Sequence, residues 1–275
     1  MPEGTGLDKL RDLYPQRFFD VGIAEGHALC FAGGLAKAGL KPVVAIYSTF
    51  LQRGYDQIVE AVALQNLGAI LAVDRAGIVG GDGATHQGIL DVVFLRSIPH
   101  LVIMAPKDAR ELEEMLEFAI GLGQPVAIRY PKDKAPHFQL SAPKSQLKLG
   151  KSEVLREGKD IAIIALGSMV LPSLSAAEIL AKEGIDAWVV NSRFVKHLDA
   201  ELFKDIGAKV KFIFTVEEGI LAGGFGSAVL EIIDKPVIRM GLPCEFIPHG
   251  ARDILLSQYG LTAQGIVDKI KSVLW

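Results

Sequence analysis

The residue types able to do chemistry in this chain fall in four short stretches. The first is Val21-Gly-Ile-Ala-Glu-Gly-His27, which sets the carboxylate of Glu25 among small and apolar neighbours at the start of an Ala- and Gly-rich helical run. A Glu is rarely fully buried without a partner, and desolvation favours its neutral form, so such a group can hold and exchange a proton near neutrality. The plain alternative is a solvated acid in the first turn of a helix, stabilised by the helix dipole. For His27, a structural hydrogen bond and a chemical role remain equally open. The second stretch, Tyr47-Ser-Thr-Phe-Leu-Gln-Arg53, offers a hydroxyl at Tyr47, an aromatic face at Phe50 and a planar cation for an anionic group at Arg53. Third, Arg75 and Arg129 each end an expected strand, where two guanidinium groups on one rim of a sheet would grip an anion in several places. Two surface ion pairs are the alternative for them. Last, Gly80-Gly-Asp-Gly-Ala-Thr-His-Gln-Gly88 is a permissive loop able to close over a ligand. It carries Asp82 and His86, and an imidazole can exchange a proton in the working pH range.

These residues need a frame, and the apolar rhythm supplies one. Short strands are expected at 43–47, 69–73, 101–104 and 126–129, with helices near 55–65, 87–95 and 108–120. Such alternation predicts an α/β fold with a mainly parallel sheet flanked by helices. Residues 132–148 turn to Lys, Pro, Ser and Gln without apolar periodicity and read as a linker between a first domain, 1–131, and a second, 149–275. The second domain repeats the rhythm, with strands expected at 161–166, 187–190, 212–216 and 237–240 and helices at 173–182, 223–233 and 263–273. Gly223-Gly-Phe-Gly226 lacks the full glycine fingerprint of a nucleotide site, so a tight turn or close helix packing explains it better.

Composition narrows the classes. A 275-residue chain that is 50% hydrophobic can bury sizeable cores, and a net charge of −3 gives no broad basic field for nucleic acid or an acidic membrane. Cys30 and Cys244 lack the spacing of a metal or redox pair, and their apolar neighbours in sequence predict buried, inert thiols in a reducing, cytoplasmic setting. Neither a transmembrane run nor a secretory leader is evident.

The motifs together resemble the 1-deoxy-D-xylulose-5-phosphate synthases, a thiamine diphosphate family related to transketolase. The likeness rests on Tyr47 to Arg53, Val73-Asp-Arg-Ala-Gly-Ile-Val-Gly80, Asp82-Gly83, Thr85-His-Gln-Gly88 and Ala127-Ile-Arg-Tyr-Pro131, then Ser192-Arg-Phe-Val195, Val216-Glu-Glu218 and Gly241-Leu-Pro243. It departs at Gly26, where the family more often has Gln, and at His197, where Pro is usual. The resemblance implies a pyrimidine-binding domain followed by a transketolase-like C-terminal domain. It implies that Glu25 hydrogen-bonds the cofactor's aminopyrimidine and Phe50 stacks on it, with Tyr47 and Arg53 in the substrate loop. It further implies that Arg75 and Arg129 bind the phosphate of glyceraldehyde 3-phosphate, while His86, organised by Asp82, serves proton transfer or the donor carboxylate.

The opening Met1-Pro-Glu-Gly-Thr-Gly6 resembles an interior segment of the family, lying after an N-terminal domain that would hold the diphosphate and its magnesium. Gly81-Asp-Gly83 looks like the start of a magnesium motif, yet no Asn follows at a suitable distance, so no metal is expected here. The chain should therefore need an N-terminal domain or subunit for catalysis, and its apolar stretch 22–35 predicts a homo-oligomer. Other readings are a split transketolase-like subunit with another ketol donor, or a non-catalytic subunit.

Overall fold

The computed structural model describes residues 2–134 and 147–275. Most of the expected linker, 135–146, therefore lies outside the described residues.

Among the described residues, ten strands form two five-stranded sheets. β1 (Val43–Tyr47), β2 (Ile70–Asp74), β3 (Val102–Met104) and β4 (Val126–Arg129) are parallel, in the order β1-β2-β4-β3. The second half contributes β5 (Glu153–Arg156), β6 (Ile161–Ala165), β7 (Ala187–Asn191), β8 (Phe194–Lys196), β9 (Phe212–Ile220) and β10 (Val237–Leu242). Of these, β10-β9-β6-β7 run parallel and β5 closes that sheet as an antiparallel edge. The expected two-sheet α/β architecture holds. All five residues of β6 are buried, as a strand covered on both faces requires.

The antiparallel edges escaped the sequence reading because they are short and mixed in character. β8 has only three residues and crosses to the first sheet, pairing antiparallel with β3. One apolar cluster continues across both halves, from Leu29, Val73 and Ala127 to Ile164, Phe203 and Phe225. The two chain segments thus share a sheet and a core.

Helix ends follow local chemistry. The helix Ala109–Leu122 is capped by Asp108, whose side chain accepts from the Glu111 N–H at 2.8 Å, and it stops at Gly123 with φ +72°. The helix expected over 55–65 is instead a short α turn, Tyr55–Gln57, running into a π-helical turn, Ile58–Ala63. The helix Glu25–Lys37 lies close against that turn, where a Cβ on Gly33 would come within 2.5 Å of the Ala61 carbonyl oxygen.

Both cysteines are exposed, which corrects the expectation of buried thiols. Leu29, Ala32 and Gly33 form the inward stripe of their helix, and Cys30, about 100° round from Leu29 on an α-helix, falls outside it. Apolar neighbours in sequence are not neighbours in space. Among the described residues, no helix is long and apolar enough to cross a membrane.

Candidate functional site at the rim of the first sheet

Glu25 is the first residue of its helix, following Ala24 in a non-helical conformation. Its side chain keeps 11% exposure and pairs with Arg53 Nη1 at 3.0 Å. The apolar frame expected around Glu25 is therefore incomplete, because Arg53 arrives from 28 residues further along the chain. The same guanidinium lies 4.9 Å from the centroid of Phe50, so one cation touches both the acid and the ring.

From Phe50 the contacts continue. Tyr47 stacks on it at 5.4 Å and 19°, and His86 meets it edge-on at 5.2 Å. The Arg75 guanidinium sits 3.6 Å from the Tyr47 centroid. Arg75 follows β2 with a left-handed backbone (φ +60°), held by Asp74, which accepts from both its N–H and its Nη1 at 2.6 Å. Burial pushes the Asp74 carboxyl above its ordinary value, partly countered by Arg75. Arg75 also donates to the Gly4 carbonyl at 2.9 Å and reaches Asp82 Oδ2 at 3.4 Å.

Asp82 is held by a second cation as well. Lys132 Nζ lies 2.9 and 2.8 Å from its two oxygens, and this hydrogen bond keeps the Asp82 carboxyl below the usual carboxylate range. Asp82 was expected to organise His86, but Thr85 takes that place. Its Oγ lies 2.9 Å from His86 Nδ1, and its carbonyl accepts from Thr49 Oγ1 at 2.9 Å.

Arg129 does not join the group. Its guanidinium is buried, bonded to Asp91 Oδ2 at 2.9 Å and to the Glu218 carbonyl at 3.0 Å. Arg129 pairs with Val73 and so lies on the face opposite Asp74 and its partner Tyr47; simple alternation would leave Arg75 on the Arg129 face, and the left-handed backbone at Arg75 instead turns its side chain over Tyr47. Lys132 is the cation that shares a partner with Arg75. It was read as the first residue of a linker, although its place just beyond the C-terminal end of β4 is where open α/β sheets carry functional groups. His27 instead stacks on Phe31, 6.1 Å between centroids. Among the described residues, no group of three or more His, Cys, Asp or Glu is placed to hold a metal ion.

Residues 1–137 match the family model of the transketolase pyrimidine-binding domain, and residues 150–266 match the transketolase C-terminal domain. A solved structure titled split gene transketolase, inactive beta4 tetramer, superposes with a TM-score of 0.89 at 31% identity, covering 98% of this chain and 88% of that one. The chain belongs to the transketolase family. Within it, the 1-deoxy-D-xylulose-5-phosphate synthase of Caldanaerobacter subterraneus subsp. tengcongensis is 54% identical over 275 residues, and that of Symbiobacterium thermophilum 51% over 279. The matches cover 98% and 100% of this chain but only 44% and 43% of those synthases. The transketolase-family chain thus spans less than half the length of the curated relatives it matches.

Proposed function

We propose that this chain is the cofactor-ring and substrate half of a thiamine diphosphate-dependent 1-deoxy-D-xylulose-5-phosphate synthase, inactive until a diphosphate-binding half completes it. The observation that carries the reading is the shared guanidinium of Arg53, which brings the Glu25 carboxylate and the Phe50 face to a single locus with His86 at the ring's edge. These residues fit an aminopyrimidine. Phe50 offers a face for offset stacking, and Glu25 offers a carboxylate for a ring nitrogen. The Arg53 side chain is 57% exposed, so its head can move into solvent and yield that place.

The bound cofactor would supply the carbanion chemistry that amino-acid side chains lack. Glu25 would hold or release a proton at its carboxylate against a ring nitrogen. His86 meets the carboxylate of pyruvate or moves a proton beside it, and Tyr47 offers its hydroxyl along the same wall. Arg75 and Lys132 receive the phosphate of glyceraldehyde 3-phosphate, with Lys132 in the role first expected of Arg129. Asp82, which now spans the two cations, fixes their separation. In the net reaction pyruvate loses its carboxylate as carbon dioxide, and its remaining two carbons join the aldehyde carbon. Magnesium belongs with the diphosphate half, which holds the phosphate oxygens.

The exposed side chains of Phe19 and Ile23, 58% and 75% accessible beside the Glu25 helix, support assembly with a further chain, including a second copy of this one. The test is to combine the chain with the N-terminal half of a relative's synthase, thiamine diphosphate and magnesium. Release of carbon dioxide from pyruvate only when both halves and the aldehyde phosphate are present supports the proposal, and none from a folded mixed complex sinks it. The likeness to a split gene transketolase favours a second reading, a separate subunit using another ketol donor. Turnover of a ketose phosphate donor without carbon dioxide would select it.

A further inference from the structure

Glu218 lies on β9 in the second half, yet its carboxylate serves the first. At 1% exposure it accepts from the Ile78 N–H at 2.7 Å, Ser168 Oγ at 2.6 Å and Arg252 Nη2 at 2.7 Å. Ile78 opens the loop that carries Asp82 and His86. The residue before it is Gly77, at φ +81°, where a Cβ would come within 2.5 Å of the Glu218 carboxyl carbon. Conformation and space therefore both demand glycine there.

Two further fastenings lie nearby. Gly77 and Gly88 exchange backbone hydrogen bonds at 2.6 and 2.8 Å, closing the neck of the loop. Gln87 accepts from the Val79 N–H at 2.8 Å and donates to the Pro248 carbonyl at 3.0 Å, tying that neck to the second half. Gly80, at φ +66°, packs so near the backbone that a Cβ would meet Arg252 N at 2.8 Å and the Gly250 carbonyl at 3.0 Å. The loop base is thus tied to the second half through Glu218 and Gln87 and packed against it at Gly80, while its outer part turns Asp82 and His86 toward Arg75, Lys132 and Phe50.

We infer that Glu218 is a positioning residue for the site and that this clasp is what the C-terminal domain contributes to it. The inference rests on the function proposed above. Glu218 acts through Ile78, whose N–H it accepts from at 2.7 Å. A glycine-rich loop has much backbone entropy to lose, so without a buried, charge-assisted anchor it would spread over many conformations.

Hydrogen exchange on the full 275-residue chain tests the clasp directly. Glu218→Gln replaces one acceptor oxygen with a donor facing Ile78, Ser168 or Arg252. Exchange of the amides at 78–87 should rise by about tenfold or more while β2 and β6 keep their protection, the mark of local rather than global opening. Unchanged loop exchange overturns the inference. Should Glu218→Gln not fold, Gln87→Met, which cuts the second tie, decides by the same two outcomes. In the completed enzyme, Glu218→Gln should raise KM for glyceraldehyde 3-phosphate several-fold. A fall in kcat with KM unchanged would show loss of active protein only and would also overturn it. If the completed wild-type enzyme turns over neither substrate, the proposed function fails, and the exchange result still judges the clasp.

Discussion

At the scale of single residues, Arg75 and Lys132 share Asp82 beside the ring cluster, whereas Arg129 is bound into the core by Asp91. Arg129 and Asp91 are 4% and 0% exposed at the side chain, so Arg129→Met leaves a buried carboxylate unpaired. Breaking such a pair costs about 3–5 kcal/mol, and chemical denaturation should show a loss of that size. A loss below about 1 kcal/mol, as for a surface pair, would contradict the assignment. Lys132→Met should instead leave stability nearly unchanged and raise KM for the phosphorylated substrate, because Lys132 is 46% exposed. Asp82 provides a pH test. Its carboxyl is depressed in the folded chain, so its contribution is in full effect above the unfolded value of 3.8 and is lost as pH falls through the lower folded value. Carboxyl NMR titration should place its midpoint below 3.8 and move it upward in Lys132→Met. Equal midpoints in the two proteins would show that Lys132 is not the cause.

At the scale of elements, the placement of Glu25 depends on how closely its helix lies on the π-helical turn 58–63. Gly33→Ala sets a methyl group 2.5 Å from the Ala61 carbonyl, so the helix must shift. Overpacking of this kind costs about 1–3 kcal/mol, and the completed enzyme should lose turnover although every site residue is intact. Full activity with unchanged stability would mean the contact is slack. The sequence reading located β1 and β4 to the residue and found the loop ends where Glu25, Tyr47 and Arg75 lie, because apolar runs and strand-to-loop switches are local signals. It missed β8, the Arg53 partner of Glu25 and the true environment of Arg129. Each of those depends on register or on contacts between distant segments, and a one-residue change of register reverses the face a side chain occupies. Thr85 and Lys132 sat inside or beside the recognised motifs, and only the fold showed which neighbour each would bond.

At the scale of the whole molecule, the second half acts as a support whose edge strand, core residues and Glu218 carboxylate all reach into the first. The apolar residues left outside that support predict association. Sedimentation should show a species larger than a monomer, and Ile23→Lys should dissociate it, given the 75% exposure of Ile23 beside the site helix. A monomer at high concentration with either residue at position 23 would remove the interface. Glu25 is proposed to work on the cofactor ring and not as a structural cap. That role is tested most directly by carbon dioxide release from pyruvate in the two-half enzyme carrying Glu25→Gln, with assembly checked by sedimentation. Loss of release by a factor of about 100 or more with assembly intact is the predicted result, in keeping with removal of a proton-transfer group. Release at the wild-type rate from the same assembled complex would contradict it.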